Sequence, residues 1–258
     1  MMTISDVAQA HSEESEREPI SMFNGLVGFF DILGYKSLLL NNETAQTVPI
    51  IRDAFIDVIA KLKQATGMVG HIDDSLAPKY IIFSDSILVH ARLDVPKWKD
   101  LAMLFFLQAC QQVVGRLFLE GLPLRGAIAI GEYCVQGVSS VEGSCFAGKP
   151  IVEARELSDA LQLAGCAITP PAEEELLANQ EARNMLIQHL VPLKPQGKQN
   201  LFMLDYSQDV KDRCCRDRCC RQWVIEQFEA HNKRVGAEVI EKVNNTIEFL
   251  EECSGRKH

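Results

Sequence analysis

The chain has 258 residues, 47% of them hydrophobic, and a net charge of −9. Such a length buries one sizeable core and is short for two full domains, and the acidic balance speaks against a nucleic-acid binder, which presents a basic face to phosphates. No apolar run approaches the roughly 18 residues that span a bilayer, and no basic-then-apolar leader opens the chain, so the expectation is a cytoplasmic protein without membrane contact.

Residues 1–21, including HSEESEREP, are polar and acidic and read as a flexible arm. Leu26 to Phe30 is short, apolar and aromatic, and leads into Asp31 and the turn-former Gly34, which suits a buried strand ending at a functional loop. From Val48 to Leu62 the apolar residues Ile51, Phe55, Val58, Ile59 and Leu62 recur at helical spacing. Tyr80–Phe83 and Ile87–Val89 are strand-like halves around Ser84-Asp85-Ser86, which predicts an antiparallel hairpin with Asp85 at its tip. Trp98 to Leu119 reads as a deeply buried helix. LRGAIAI at 124–130 is another strand, with Gly131 expected to turn it into a further one containing Tyr133 and Val135.

After a Gly/Ser-rich loop, a helix is predicted from Pro150 through Ala160, followed by a strand over Cys166–Thr169. The order β-α-β-β-α-β-β-α-β predicts an α+β, ferredoxin-like sandwich, its mainly antiparallel sheet covered by helices on one face. Beyond Pro170 the pattern is helical over 173–184 and 209–252. Ile240, Val243, Ile247 and Leu250 form a narrow apolar seam suited to docking or dimerisation. The nine cysteines read as free thiols. In CCRDRCC, Cys215 and Cys219 stand one helical turn apart and could hold a metal, though helix packing is the simpler reading.

Asp31 and Asp85 each follow a strongly apolar strand, where packing does not favour a carboxylate. A strand-end aspartate is often only a cap or turn residue, but two at adjacent strand ends can share a pair of divalent cations, the minimal phosphoryl-transfer site. Lys79 shares Asp85's strand face by parity and is a candidate for reaching a base or phosphate. His90, in an apolar strand, reads as a packed imidazole.

FFDILGY at 29–35 resembles the F-x-D-I-x-G-F segment of class III nucleotide cyclases. FSDSILVHA at 83–91 resembles their second-metal hairpin, LRGAIAIGEY at 124–133 their R-x-G-I-x-x-G strand, and FAGKPIVEARELSDALQLAGCAIT their late helix and following strand. The resemblance implies a catalytic domain over 22–205 with a C-terminal helical extension over 206–258. It implies that Asp31, Asp85 and the Ile32 carbonyl bind two Mn²⁺ or Mg²⁺ ions, that Arg125 holds a nucleoside triphosphate, and that amides of Leu33, Gly34, Tyr35 and Lys36 receive its terminal phosphates. It also implies a homodimer with composite active sites, in which mixing Asp31→Ala with Arg125→Ala protomers restores activity.

The positions matching the family's ribose-binding Asn and transition-state Arg are Val152 and Glu156, with Arg155 one residue off. The usual Gly before the second aspartate is Ser84, and the purine-selecting position is Ile81. In these departures the chain resembles the Pycsar branch, the bacterial antiphage pyrimidine cyclases. That resemblance implies UTP, or else CTP, as substrate, a cyclic nucleotide messenger and a separate effector protein. A conventional adenylyl or guanylyl cyclase and a catalytically dead nucleotide-binding cyclase fold are the other readings.

Overall fold

The computed structural model describes residues 21–67, 77–137, 144–208, 210 and 220–255. The acidic arm before residue 21, and the CCRDRCC string with the side chain of its last cysteine, lie outside the described residues. Strand β1 (Met22–Ile32) is followed by helices α1 (Tyr35–Asn41) and α2 (Thr44–Gly67), then by the hairpin β2 (Lys79–Phe83) and β3 (Ser86–Arg92). Helix α3 (Lys99–Leu119), strands β4 (Leu124–Gly137) and β5 (Ser144–Gly148), helix α4 (Lys149–Ala160) and strand β6 (Gly165–Ile168) come next. Helices α5 (Pro170–Leu177) and α6 (Gln180–Asn184), strands β7 (Leu186–Leu193) and β8 (Gly197–Leu204), and helices α7 (Cys220–Glu229) and α8 (Ala237–Gly255) complete the order.

The eight strands form one sheet in the order β2-β3-β1-β4-β6-β8-β7, with β5 on β4. Only β4–β6 is parallel among its pairings. Strand alternation divides β1 between two layers. Leu26 and Phe30 enter the main core with α2 and α3, whereas Phe29 joins Ala129 and Ala154 of α4 on the opposite face. One helix therefore covers the second face, where single-sided cover was expected, and Asp31 shares that face by parity.

The sheet corrects two expectations. Gly131 makes no turn: it pairs with Gly25 inside a ladder that runs from Met22↔Cys134 to Ile32↔Leu124, so β4 stays continuous and its hairpin partner is β5. The β7–β8 hairpin was not anticipated, and it extends the sheet beyond β6.

Helix α3, with the short 3-10 turn before it, is apolar and long enough to cross a membrane, contrary to the sequence reading. Here it is a core helix: Met103, Phe106, Leu107, Val113, Val114, Leu117 and Phe118 are all buried. The C-terminal seam is likewise spent within the chain. Val243, Ile247 and Leu250 are buried in the main core and only Ile240 is exposed, so this seam does not furnish a dimer face.

The expected helix over 209–252 is broken between α7 and α8, where His231 and Asn232 adopt left-handed φ of 58° each. This connection clasps α1. Asn41 donates to the Asn232 carbonyl, Asn42 to the His231 carbonyl, and the Arg234 amide to Ser37 Oγ.

Lys233, 5% exposed, reaches inward from the same connection and donates to the carbonyls of Gly121 and Gln227. Burial lowers its ammonium from 10.5 to about 7. Between these values the unfolded chain holds a proton that the folded chain lacks, so stability rises with pH through that window. From pH 7 to 9 the gain from this group is on the order of 2 kcal/mol. Denaturant midpoints across that range check it: Lys233→Met removes this part of the slope.

Candidate active site

Asp31, the penultimate residue of β1, stands in register with Arg125 of β4 on one side and Ser86 of β3 on the other. Arg125 donates to Asp31 Oδ2 from both Nε (3.2 Å) and Nη2 (3.0 Å), and each side chain is 19% exposed. Asp85 occupies the β2–β3 turn, its carbonyl accepting from the Ile32 amide at 3.2 Å. This contact draws the hairpin tip onto the end of β1. It also brings the Asp85 carboxyl close enough to Asp31 to bear on that residue's charge state. Burial, chiefly, raises the Asp31 carboxyl from 3.8 to about 6; Arg125 opposes the rise and Asp85 adds to it.

Arg125 is also tied to the end of α4, giving Nη1 to the Asp159 carbonyl (2.9 Å) and Nη2 to Asp159 Oδ1 (2.8 Å). Asp159 was not singled out in the sequence, although its place one turn after Arg155 marks an ion pair. Arg155 Nε stands 3.8 Å from Asp159 Oδ2 and is 69% exposed, so it reaches the cluster only through that carboxylate.

Gly34 begins α1 in the left-handed region, φ 81°, which suits a residue without Cβ. Leu33 is buried and its amide is given to the Pro123 carbonyl at 2.9 Å, so it is not free for a phosphate. Gly34, Tyr35 and Lys36 remain at the start of α1, where first-turn amides have no intrahelical acceptor.

Lys79 is not brought to the aspartates. It pairs with His90 at the far end of the hairpin, about 13 Å of strand from Phe83. His90 is buried, 3.2 Å from the Tyr133 hydroxyl and ringed by Tyr133 and Phe146. Burial, and secondarily Lys79, lower its pKa to about 4, so it is a neutral packed imidazole at pH 7.

Two carboxylates with one arginine fit a hard divalent cation that keeps water ligands and completes its shell with phosphate oxygens. Among the described residues, no cluster of three or more His, Cys, Asp or Glu forms a closed metal cage.

Ser84, before Asp85, has a left-handed φ of 55°. A side chain there costs roughly 1 kcal/mol relative to glycine. Its hydroxyl recovers little, lying 3.4 Å from Tyr35 Oη. Ser84→Gly is accordingly expected to raise stability by about 0.5–1 kcal/mol, measured by denaturant unfolding.

This sheet, with its mixed strand order and helices on both faces, is the fold of a nucleotide cyclase domain. The structure is similar to that of the adenylyl cyclase CyaB from P. aeruginosa, with a TM-score of 0.52 and 12% identity over 72% of this chain and 96% of that one. It is similar also to a bacterial light-regulated adenylyl cyclase, with a TM-score of 0.51 and 12% identity over 83% of this chain and 58% of that one. At these identities the likeness is one of fold. No protein-family model and no curated protein matches the chain.

Proposed function

We propose that this chain is a divalent-cation-dependent nucleotide cyclase that converts a pyrimidine ribonucleoside triphosphate, UTP in preference to CTP, to its 3′,5′-cyclic monophosphate and pyrophosphate. The observation that carries the reading is the bond from the Ile32 amide to the Asp85 carbonyl, which draws the β2–β3 turn to the end of β1, where Asp31 is paired to Arg125. Asp31, Asp85 and the Ile32 carbonyl would hold two Mn²⁺ or Mg²⁺ ions. Bound there, such ions supply charge neutralisation along the phosphate chain and acidify the attacking ribose 3′-hydroxyl.

The chain's own part is orientation. Arg125 is fixed from behind by Asp159, and its Nε and Nη2 donors, now given to Asp31, are the ones it can turn to a phosphate. The amides of Gly34 to Lys36 take the terminal phosphates. The pyrimidine preference is supported by Ile81, at the position that the resemblance gives to purine selection: its apolar side chain packs beside Val27, Leu88 and Tyr133 and has no donor or acceptor for a purine edge. The product would serve as a cytoplasmic second messenger for a separate effector in antiphage defence. The active form would be a homodimer, with the partner completing each site.

A catalytically dead, nucleotide-binding cyclase fold is favoured by one observation, that Val152, more than half exposed, and Glu156 stand where Asn and Arg are expected. A single assay separates the readings. The protein is incubated with ATP, GTP, CTP, UTP and Mn²⁺ and the products are separated by mass. Cyclic UMP is the expected product; a purine cyclic nucleotide alone overturns the pyrimidine reading, and binding without turnover establishes the dead fold.

A further inference from the structure

Arg125 gives away nearly all of its hydrogen-bonding capacity within the chain. Nε and Nη2 donate to Asp31 Oδ2, Nη1 to the Asp159 carbonyl, and Nη2 again to Asp159 Oδ1. A guanidinium has five N–H donors. These four bonds leave one, on Nη1, without a partner among the described residues. The forked grip that an arginine takes on a phosphate needs two donors side by side. Arg125 forms such a grip only by letting go of a carboxylate.

Asp31 is engaged in the same way. Its Oδ2 accepts both bonds, and each side chain is only 19% exposed, so little water screens the pair. A guanidinium seated on a carboxylate oxygen opposes a second cation there, by like charge and by occupying lone pairs that would ligate it. The pairing is set by the backbone. Asp31 and Arg125 stand opposite each other in the unbroken β1–β4 ladder, which puts both side chains on one face. Asp159, at the end of α4, keeps two bonds to Arg125 when those to Asp31 break, so the arginine pivots and is not lost from the site.

We propose that Arg125 and Asp31 occlude each other in the free protein, so that divalent cation and polyphosphate are bound together and either one alone is bound weakly. Arg125, once turned to a polyphosphate, bares the Asp31 carboxylate; Asp31, once ligating a cation, releases the arginine. The inference rests on the cyclase reading and deepens it, giving the two ligands of one site a positive coupling.

Calorimetric titrations with each ligand alone test it. With Mn²⁺ alone, Arg125→Met is expected to bind about tenfold more tightly than the wild type, because no charge-assisted pair has to be broken. Arg155→Met removes an equal charge that is paired to Asp159, and is expected to stay within about twofold of the wild type. With pyrophosphate alone, in the presence of chelator, Asp31→Asn is expected to gain about tenfold, and Asp85→Asn, which removes an equal charge without releasing Arg125, less than about threefold. Should Arg125→Met fail to fold, the pyrophosphate titrations decide by themselves. Equal Mn²⁺ binding by wild type and Arg125→Met, or equal gains by Asp31→Asn and Asp85→Asn, overturns the inference and leaves the cyclase reading standing. Failure of the wild type to bind Mn²⁺ and pyrophosphate supplied together overturns the cyclase reading, and the inference with it.

Discussion

Asp31→Asn and Asp85→Asn are each expected to lower cyclic-nucleotide formation by at least about 10³-fold, roughly 4 kcal/mol of transition-state stabilisation. Neither change alters side-chain shape, and neither is expected to weaken the fold. In the free protein burial raises the Asp31 pKa, and repulsion from the Asp85 carboxylate adds to the rise. Neutralising Asp85 relieves that repulsion, and its new amide can donate to Asp31. The thermal midpoint of Asp85→Asn should therefore equal or exceed that of the wild type while activity collapses. Opposed effects of this kind belong to groups gathered for function at a cost in stability. A turn-capping aspartate would show the reverse, an unfolding penalty with activity retained.

Arg125→Ala is expected to lower kcat by about 10²–10³-fold. Unlike the aspartate variants it also destabilises the fold, because Asp31 and Asp159 lose their shared partner. A half-buried carboxylate left without its cation costs about 1–3 kcal/mol. Rate measurements at saturating substrate and denaturant unfolding of the same preparation separate the two effects.

The geometry also revises the expectation for mixed protomers. Asp31 and Arg125 face each other within one chain. A dimer of Asp31→Ala with Arg125→Ala thus contains no site with both residues, whatever the partner adds. No rescue is expected from that mixture, so it does not test whether sites are composite. A useful mixture pairs either variant with one altered in a residue that the partner contributes.

The two aspartates were legible because each follows an apolar run, buried before Asp31 and partly exposed before Asp85, where a carboxylate has no packing role. The ion pair between Asp31 and Arg125 was not, since it depends on the register of β1 against β4, a pairing of residues 94 positions apart. Parity misled at Lys79: sharing Asp85's face says nothing of distance along the strand, and the hairpin carries the two to opposite ends. A glycine flanked by two strand-like runs looked like a turn at Gly131, yet an unbroken ladder on β1 holds it inside β4. The β7–β8 hairpin escaped notice because Pro192 interrupts one strand and Lys198, Gln199 and Asn200 make the start of the other polar.

The C-terminal contributions were the least visible. Lys233 looks like an ordinary surface lysine in a helical stretch, and only the break at His231–Asn232 brings it beneath Gly34. That placement depends on a contact between segments more than 100 residues apart in sequence. Local pattern carries no trace of such contacts.

The central claim is that Asp31 and Asp85 together grip divalent cations beneath a nucleotide's phosphates. Its most direct test is Mn²⁺ binding followed by electron paramagnetic resonance, with saturating non-cyclisable UTP analogue, in the wild type and in Asp85→Asn. The account predicts two protein-dependent Mn²⁺ ions per bound nucleotide in the wild type and the loss of at least one in the variant. Equal Mn²⁺ stoichiometry and affinity in the two proteins would contradict it.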